Sequence, residues 1–222
     1  MALPRFRRVD SVWARGYKET APPAPDTPWR RASYAVVDLE TTGLNPRRDE
    51  IIAFAAVPVD DGRVGIGGIR STLIRPERMP GPDTIPIHGL RPDELADAPP
   101  LAEAIDLILE SLTGRVLVAH GAWVERGFLN RALRLARLSV GEPILDTSAI
   151  ALRVLPGTAP EQEGVQLAAA AQALELPSHR PHRADGDALT TAQLFLALVS
   201  RLDRTDPQTV GSLARLSEAA TP

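Results

Sequence analysis

The stretch that decides the fold reads YAVVDLETTGL, residues 34–44. Its opening is aromatic and β-branched, and Thr-Thr-Gly ends the apolar run, so the pattern predicts a buried strand that leads into a loop. Residues i and i+2 of a strand point to the same face, so Asp38 and Glu40 project together while Leu39 turns away. Two neighbouring carboxylates repel each other unless a proton or a cation lies between them.

These two acids admit two interpretations. In the first they are solvated carboxylates on an exposed edge, the commoner role of an isolated Asp-x-Glu pair. In the second they bind a divalent cation, since the apolar strand before them is typical of a sheet centre, where unpaired charge is costly. Mg²⁺ and Mn²⁺ prefer hard oxygen ligands. We therefore predict a metal site at this strand end, beside a loop, residues 41–44, whose hydroxyls and backbone could contact a phosphate or a sugar.

The rest of the chain predicts an α/β domain. Apolar runs at 51–59 and 64–74, joined by Asp-Asp-Gly, predict a hairpin of two antiparallel partner strands. Apolar residues spaced by three and four predict helices near residues 101–112, 123–138, 165–174 and 185–202. Short apolar runs predict further strands at 115–119 and 144–147. The order β-β-β-α-β-α-β-α-α indicates a central mixed five-stranded sheet flanked by helices.

We predict that the domain occupies residues 33–203, between an N-terminal arm, residues 1–32, and a C-terminal tail, residues 204–222. The arm ends in a proline-rich linker, which favours an extended connection. Among its arginines it carries Trp13, Tyr17 and Trp29. This pattern is more typical of an anchoring segment than of a packed element. We expect the arm to be dispensable for chemistry, and failure of a shortened chain to fold would mean that one of these aromatics fills a groove on the domain.

Composition restricts the chemistry and the partners. The 222 residues are 44% hydrophobic and 24% charged, the balance of a globular protein. Cysteine is absent, which excludes disulfides and thiolate-bound metals, so a metal would need oxygen or histidine ligands. The chain has no signal-peptide pattern and no apolar run long enough to span a bilayer, so we expect a cytoplasmic protein without a membrane partner. The net charge of −3 argues against broad electrostatic coating of duplex DNA.

Several motifs resemble one family in order and spacing. VVDLETTGL at 36–44 is similar to the first motif of DnaQ-like exonucleases of the DEDDh group, which includes the proofreading subunit of bacterial DNA polymerase III, ribonuclease T and oligoribonuclease. The later matches are IHGL at 87–90, VAHGA at 118–122 leading to a Phe-Leu pair, LDT at 145–147, and HRADGD at 182–187. The resemblance covers about residues 33–202 and implies a ribonuclease H-like fold.

The resemblance implies roles for four acids and one histidine. Asp38, Glu40, Asp187 and the acid of the second motif would hold two divalent metal ions, Mg²⁺ or Mn²⁺, against the scissile phosphate, and His182 would be the general base. Without the partner motifs, Asp187 would be interpreted as an acid at the start of a helix, and this interpretation is kept for Asp185. His182 would be interpreted as a surface loop residue. The resemblance also implies contacts with the terminal nucleotide from Thr41, Thr42, Gly43, Leu44 and His88.

Glu125 departs from the family pattern. Counting from His120, it stands where the second motif normally carries an aspartate. Glutamate keeps the charge and the oxygen ligands but extends the carboxylate by one methylene. The site could adapt through a rotamer change, or it could bind its second metal loosely. His120 itself has a structural alternative, which is to satisfy backbone groups near this motif.

The function that the resemblance implies is a 3′–5′ exonuclease that releases nucleoside 5′-monophosphates from single-stranded DNA or RNA 3′ ends. A polymerase or another replication or repair protein is a candidate partner. Two alternatives stay open. The first is a catalytically weak module that binds nucleic-acid ends or nucleotides within a larger assembly. The second is an RNA-specific exoribonuclease of the same fold, since the family reads the backbone and the unpaired end more than base identity.

Overall fold

The computed structural model describes residues 11–80, 89–155 and 165–218. They form a mixed sheet flanked by helices, which confirms the predicted α/β class. The strands are β1 (Tyr34–Thr41), β2 (Ile51–Asp60), β3 (Arg63–Val64), β4 (Arg70–Leu73), β5 (Val116–Ala119) and β6 (Ile144–Asp146). The helices are α1 (Val12–Glu19), α2 (Pro92–Ala96), α3 (Leu101–Leu112), α4 (Trp123–Leu133), α5 (Thr147–Val154), α6 (Leu167–Ala173), α7 (Ala184–Asp203) and α8 (Val210–Glu218). No helix within these ranges combines the length and the apolar character needed to cross a membrane.

The sheet has six strands in the order β3-β2-β1-β5-β6, with β4 also paired to β2. β2 is antiparallel to β1, whereas β5 is parallel to β1 and β6 to β5. The sequence predicted one strand over residues 64–74, where the structure has β3 and β4. Glycines allow a 3₁₀ turn over Ile66–Gly68, and the Gly65 N–H donates to the Pro58 carbonyl at 2.8 Å. The chain therefore leaves β2 after a short pairing and rejoins it further along, so the sheet has six strands and not five.

The side chains of β1 alternate between two layers. Tyr34 and Val36 belong to the layer of α7 and α8, where the Phe195 ring meets Tyr34 edge-on with 4.9 Å between the ring centroids. The layer of α3 and α4 receives the residues between them, Ala35, Val37 and Leu39. Both layers are close-packed, so the sheet is covered by helices on both faces, and the acids of β1 must project into one of these layers.

This alternation positions the predicted metal site. Asp38 and Glu40 continue the series of Tyr34 and Val36, so they lie on the α7 side at the carboxyl end of β1. β5 is parallel to β1, with Val118 beside Val36. The chain therefore leaves β5 at the same end of the sheet and enters α4 there. Residues that follow β1 and β5 thus meet at one end of the domain.

Both segments outside the predicted domain contribute to its core. Trp29 is 1% exposed, and its backbone N–H donates to the Gln208 carbonyl at 3.1 Å. Val210 and Leu213 of α8 are buried in the same cluster. Trp29 fills a place on the domain, and losing a fully buried tryptophan side chain costs about 3–5 kcal/mol. The domain boundaries and the dispensability of the arm stay predictions. The burial of Trp29 weighs against dispensability.

Candidate active site

Three of the predicted acids meet at the carboxyl end of β1. Asp38 and Glu40 come from β1 and Asp187 from the first turn of α7, and each offers a carboxylate oxygen within 4.8 Å of the other two. All three residues are half-buried. Carboxylate oxygens at this spacing suit hard divalent cations such as Mg²⁺ and Mn²⁺. The arrangement is therefore a candidate metal site.

Close packing at the start of α7 holds Asp187 in place. A Cβ atom at Gly186 would lie 2.1 Å from the carbonyl oxygen of His179 and 2.5 Å from that of Arg180, so only glycine permits the approach of helix and loop. Further along the same loop, the backbone N–H of His182 donates to Asp187 Oδ2 at 2.8 Å. The loop that carries His182 and the helix that carries Asp187 are therefore fixed to each other.

Burial and mutual repulsion disfavour the ionised form of all three acids. Burial raises the pKa of Asp38 well above its usual range, and the charges of Glu125, Glu40 and Asp187 raise it further. Burial and the charge of Asp187 raise the pKa of Glu40 to about 7, although the positive charge of Arg183 acts to lower this pKa. The pKa of Asp187 is also raised, with burial as the largest cause. A cluster with this excess of negative charge is stabilised by protons or by cations.

Glu125 lies beside this cluster, inside the protein. It belongs to the first turn of α4, is 5% exposed, and its Oε2 has no hydrogen-bond partner among the described residues. Burial raises its pKa to about 8, and the charge of Asp146 contributes in the same direction. Its charge acts on Asp38, but its oxygens are not part of the three-acid group. The structure therefore brings the predicted fourth ligand next to the cluster, and its role as a ligand stays a prediction.

Asp146 has a positioning role that the sequence did not reveal. Its carboxylate accepts the N–H groups of Gly121 at 3.0 Å and of Ala122 at 3.1 Å, immediately before α4. It also accepts the Ser148 N–H at 2.8 Å as the N-cap of α5. An acid before Thr-Ser is a recognisable N-cap signal, but the contacts with residues before α4 appear only in the folded chain. They fix the turn from which Glu125 is presented.

His120 is held within the protein by both ring nitrogens. Its Nδ1 lies 2.9 Å from Thr147 Oγ1, and its Nε2 lies 2.6 Å from the Val165 carbonyl oxygen. Burial lowers the pKa of this imidazole, which favours the neutral ring. The ring therefore connects the end of β5 to α5 and to the segment before α6. These contacts support the structural alternative for His120.

Of the three histidines that the structure describes, His182 is the one that influences the acids. It is exposed, its backbone has a φ of 61°, and its charged form lowers the pKa of Asp187. His179 instead contacts Gln193, with 3.1 Å between Nε2 and Oε1. The role of His182 as a base stays a prediction. His88 lies outside the described residues, so its predicted contact with the nucleotide has no structural counterpart here.

The predicted substrate loop after β1 is shaped by its own hydrogen bonds. Thr41 Oγ1 donates to the Gly43 carbonyl at 2.7 Å, and Thr42 Oγ1 accepts the Glu50 N–H at 2.9 Å. Thr41 can still accept one hydrogen bond and Thr42 can still donate one. Leu44 is 60% exposed at the outer side of the loop. The loop thus offers hydroxyls and one apolar side chain next to the acids, and its contacts with substrate stay a prediction.

Arg183 is a neighbour of the site to which the sequence gave no role, although it lies between two motif residues. Its charge lowers the pKa of Glu40. Together with Glu40 and Leu90 it lines an open cleft of about 190 Å³. It forms no ion pair within the parts of the chain that the structure describes. A guanidinium in this position partly offsets the acids and can contact a phosphate.

An acidic cluster at the carboxyl end of a strand in a helix-covered mixed sheet is the arrangement of ribonuclease H-like nucleases. The RNase_T exonuclease family matches residues 35–195, and the chain belongs to this family, which confirms the resemblance seen in the sequence. The DNA polymerase III subunit epsilon of Treponema pallidum is 35% identical over 76% of this chain and 77% of its own length. A DNA polymerase III subunit epsilon-like protein of Rhodobacter capsulatus is 32% identical over 85% of this chain, which spans 27% of that relative.

Solved structures agree with the family. Exonuclease X in complex with 5′ overhanging duplex DNA has a TM-score of 0.64 and 26% identity, and the match covers 83% of this chain and 99% of that one. Exonuclease I of E. coli in complex with a dT13 oligonucleotide has a TM-score of 0.66 over 79% of this chain and 42% of that one. Its 18% identity supports the fold alone. The chain is thus an exonuclease-family domain with a ribonuclease H-like fold.

The burial of Glu125 predicts a pH dependence of stability in the metal-free protein. Its pKa is about 8 in the folded state against a usual value of 4.5. Between these values the folded state holds a proton that the unfolded state has released, so the free energy of unfolding should fall as the pH rises. The slope for one such group is about 1.4 kcal/mol per pH unit. Urea unfolding between about pH 5 and about pH 8 measures it, and Glu125→Gln should reduce the slope.

His120 is the control group for that comparison. The lowered pKa of His120 has the opposite effect, because it makes the free energy of unfolding rise as the pH rises. His120 is present in both proteins, so its effect cancels in the comparison. The difference between wild type and Glu125→Gln therefore reports Glu125 together with the effect of its charge on Asp38. Equal slopes for the two proteins would mean that Glu125 is already ionised in the folded state, which contradicts its burial.

Proposed function

We propose that this chain is a metal-dependent 3′–5′ exonuclease of the DEDDh type, which hydrolyses the last phosphodiester bond of a strand and releases a nucleoside 5′-monophosphate. The observation that carries the proposal is the cluster of Asp38, Glu40 and Asp187 oxygens within 4.8 Å, in a chain of an exonuclease family. The polarity is supported by a Bacillus subtilis relative named 3′-5′ exonuclease DinG, 30% identical over 83% of this chain. The chain spans 19% of that relative, so the polarity belongs to the proposal.

The residues fit two divalent ions. The close group offers carboxylate oxygens, and its raised pKa values reflect repulsion that cations relieve. Glu125 adds a buried oxygen without a hydrogen-bond partner, an atom that a cation or a proton would satisfy. When bound, two divalent ions supply positive charge that polarises the scissile phosphate and stabilises the departing oxygen. Asp38, Glu40 and Asp187 would be the principal ligands, with Glu125 as the fourth.

In this mechanism His182 accepts a proton from the attacking water. An imidazole can accept a proton from water, and the backbone N–H of His182 donates to Asp187, which ties this residue to the acids. The water oxygen bonds to phosphorus, the bond from phosphorus to the 3′ oxygen breaks, and that oxygen takes a proton from solvent. The shortened strand keeps a 3′ hydroxyl and can be cut again. The loop with Thr41, Thr42, Gly43 and Leu44 would contact the terminal nucleotide.

We propose single-stranded DNA or RNA 3′ ends as the substrate. Exonuclease X was solved with an overhanging duplex and Exonuclease I with a single strand, which supports an unpaired strand as the ligand. The DNA polymerase III names of two relatives support a polymerase or another replication or repair protein as the partner, and a cytoplasmic location. A binding module of low activity is the second candidate, favoured by the position of Glu125 outside the close group.

A metal titration with a 5′-labelled single strand tests both candidates. The wild type should shorten the strand in single-nucleotide steps and work better with Mn²⁺ than with Mg²⁺, because Mg²⁺ demands near-ideal octahedral geometry and the longer Glu125 side chain displaces the ligand oxygens. Glu125→Asp should raise the rate with Mg²⁺. Glu125→Ala should lower the rate with either metal by roughly 10- to 100-fold.

Three results would change the proposal. A wild type inert with both metals, together with cleavage by Glu125→Asp, would identify a decayed nuclease and favour the binding module. Glu125→Ala with wild-type rates would exclude this position from the metal site. Products that shorten from the labelled 5′ end would contradict the proposed polarity.

A further inference from the structure

Trp123 is a large aromatic side chain left open to solvent. It is 51% exposed, whereas five large aromatic side chains are fully buried in the two core layers: Trp29, Tyr34, Phe54, Phe128 and Phe195. It is the first residue of α4 and lies two positions before Glu125. The bonds from Gly121 and Ala122 to Asp146 hold the backbone just before it. The backbone that presents this exposed indole is therefore fixed at the end of β5, the end of the sheet where the acids lie.

The loop that follows Glu40 lies along the same side of α4. Gly127 is one turn after Trp123, and a Cβ atom there would lie 2.7 Å from Pro46 Cγ. One turn further, Arg131 Nη1 donates to the Pro46 carbonyl at 2.9 Å. Leu44, two residues before Pro46, is 60% exposed. The loop after β1 and α4 therefore contact each other, and each carries one exposed apolar side chain, Leu44 and Trp123.

We propose that Trp123, together with Leu44 of the contacting loop, forms a base-stacking platform for an unpaired nucleotide of the strand whose 3′ end lies at the acids. This inference rests on the proposed function. Aromatic rings bind single strands by stacking on bases, and such stacking tolerates any base because every base has a π-face. The chain has a net charge of −3, which argues against broad electrostatic coating as the main source of affinity. Stacking next to the acids provides affinity where the strand end must be held.

Binding to a cleavage-resistant strand tests the platform. The probe is a fluorescein-labelled oligothymidylate with a phosphorothioate terminal linkage, titrated in Mg²⁺, which binds sulfur poorly and so leaves this linkage intact. Trp123→Ala should raise the dissociation constant by roughly 5- to 150-fold, the equivalent of one stacked base. Trp123→Phe should retain most of the affinity, because phenylalanine also stacks. In cleavage assays Trp123→Ala should raise KM and change kcat little.

Trp13→Ala is the matched control. Trp13 is 39% exposed on α1, which packs against α3. A Cβ atom at Gly114, two residues before β5, would lie 3.0 Å from Thr20 Cγ2, so α1 ends near the opposite end of β5 from α4. Removing this exposed tryptophan should leave the dissociation constant unchanged. Trp13→Phe also leaves Trp123 as the exposed tryptophan, so its fluorescence should change when the oligothymidylate binds.

An abasic strand separates stacking from a structural role. With abasic sites at the 3′-terminal positions, wild type and Trp123→Ala should bind equally. Equal affinities for the normal strand, or an equal loss on normal and abasic strands, would overturn the platform. Either result leaves the exonuclease proposal intact if the wild type shortens a strand and Asp38→Asn does not. If Trp123→Ala loses affinity only for the strand that carries bases, and the wild type shortens no strand, the platform is supported and the exonuclease function is contradicted.

Discussion

Replacing Asp38 by asparagine is expected to lower the turnover of a single strand by roughly three powers of ten or more. The amide keeps the shape of the side chain but removes its negative charge. The close group then has two carboxylates and not three. Losing a ligand of a two-metal site removes several kcal/mol of transition-state stabilisation, and each 1.4 kcal/mol is about a factor of ten. Asp187→Asn should have the same effect. Single-turnover kinetics in matched Mn²⁺, with calorimetry of Mn²⁺ binding, measures both changes.

Asp185→Asn is the control for these variants. Asp185 is on the same turn of α7 as Asp187, but it pairs with Arg180 and lies outside the close group. Its turnover should stay near that of the wild type. The metal-free Asp38→Asn protein should unfold at the same or a higher urea concentration, because the raised pKa of Asp38 means that its charge is unfavourable in the folded state. Near wild-type cleavage by Asp38→Asn would remove Asp38 from the site.

Replacing His182 by alanine is expected to lower kcat by roughly 10²- to 10⁴-fold, the usual contribution of a general base. Mn²⁺ affinity should change little, since His182 contacts Asp187 through its backbone N–H, which alanine retains. Raising the pH should recover part of the rate, because hydroxide then attacks without a base. A pH–rate profile of both proteins checks these expectations together.

His179→Ala is the matched histidine control. His179 is in the same loop, but its ring contacts Gln193 and not the acids. Its rate and pH profile should stay close to those of the wild type. If His182→Ala loses Mn²⁺ affinity and its rate does not recover at high pH, then His182 is a ligand or a structural residue, and the base must be sought elsewhere.

The alternation of β1 shows how much of the site the sequence could predict. A strand period of two puts Asp38 and Glu40 on one face whatever the partners of the strand are. Asp187 was predicted from the resemblance of its motif, and the structure brings it to the same oxygen cluster. Gly186, within that motif, is required by a close approach to the loop that no local pattern reveals.

The sheet shows the limit of the same reasoning. An apolar run after a hairpin turn predicted one strand over residues 64–74, but a 3₁₀ turn at Ile66–Gly68 divides it into β3 and β4. The glycines that allow the turn were visible in the sequence. The hydrogen bond that stabilises it is accepted by the Pro58 carbonyl, in the neighbouring strand β2, from the Gly65 N–H.

By itself, the sequence determined the class of the domain, its pattern of strands and helices, and the acids with a histidine beside them, because these depend on local periodicity and on motif residues. Only the tertiary structure decided that Glu125 is buried beside the close group, that Asp146 fixes the turn before it, and that Trp29 belongs to the core. Each of these depends on contacts between residues far apart in the chain. Burial, and the pKa that burial raises, are properties of such contacts, so no local pattern specifies them.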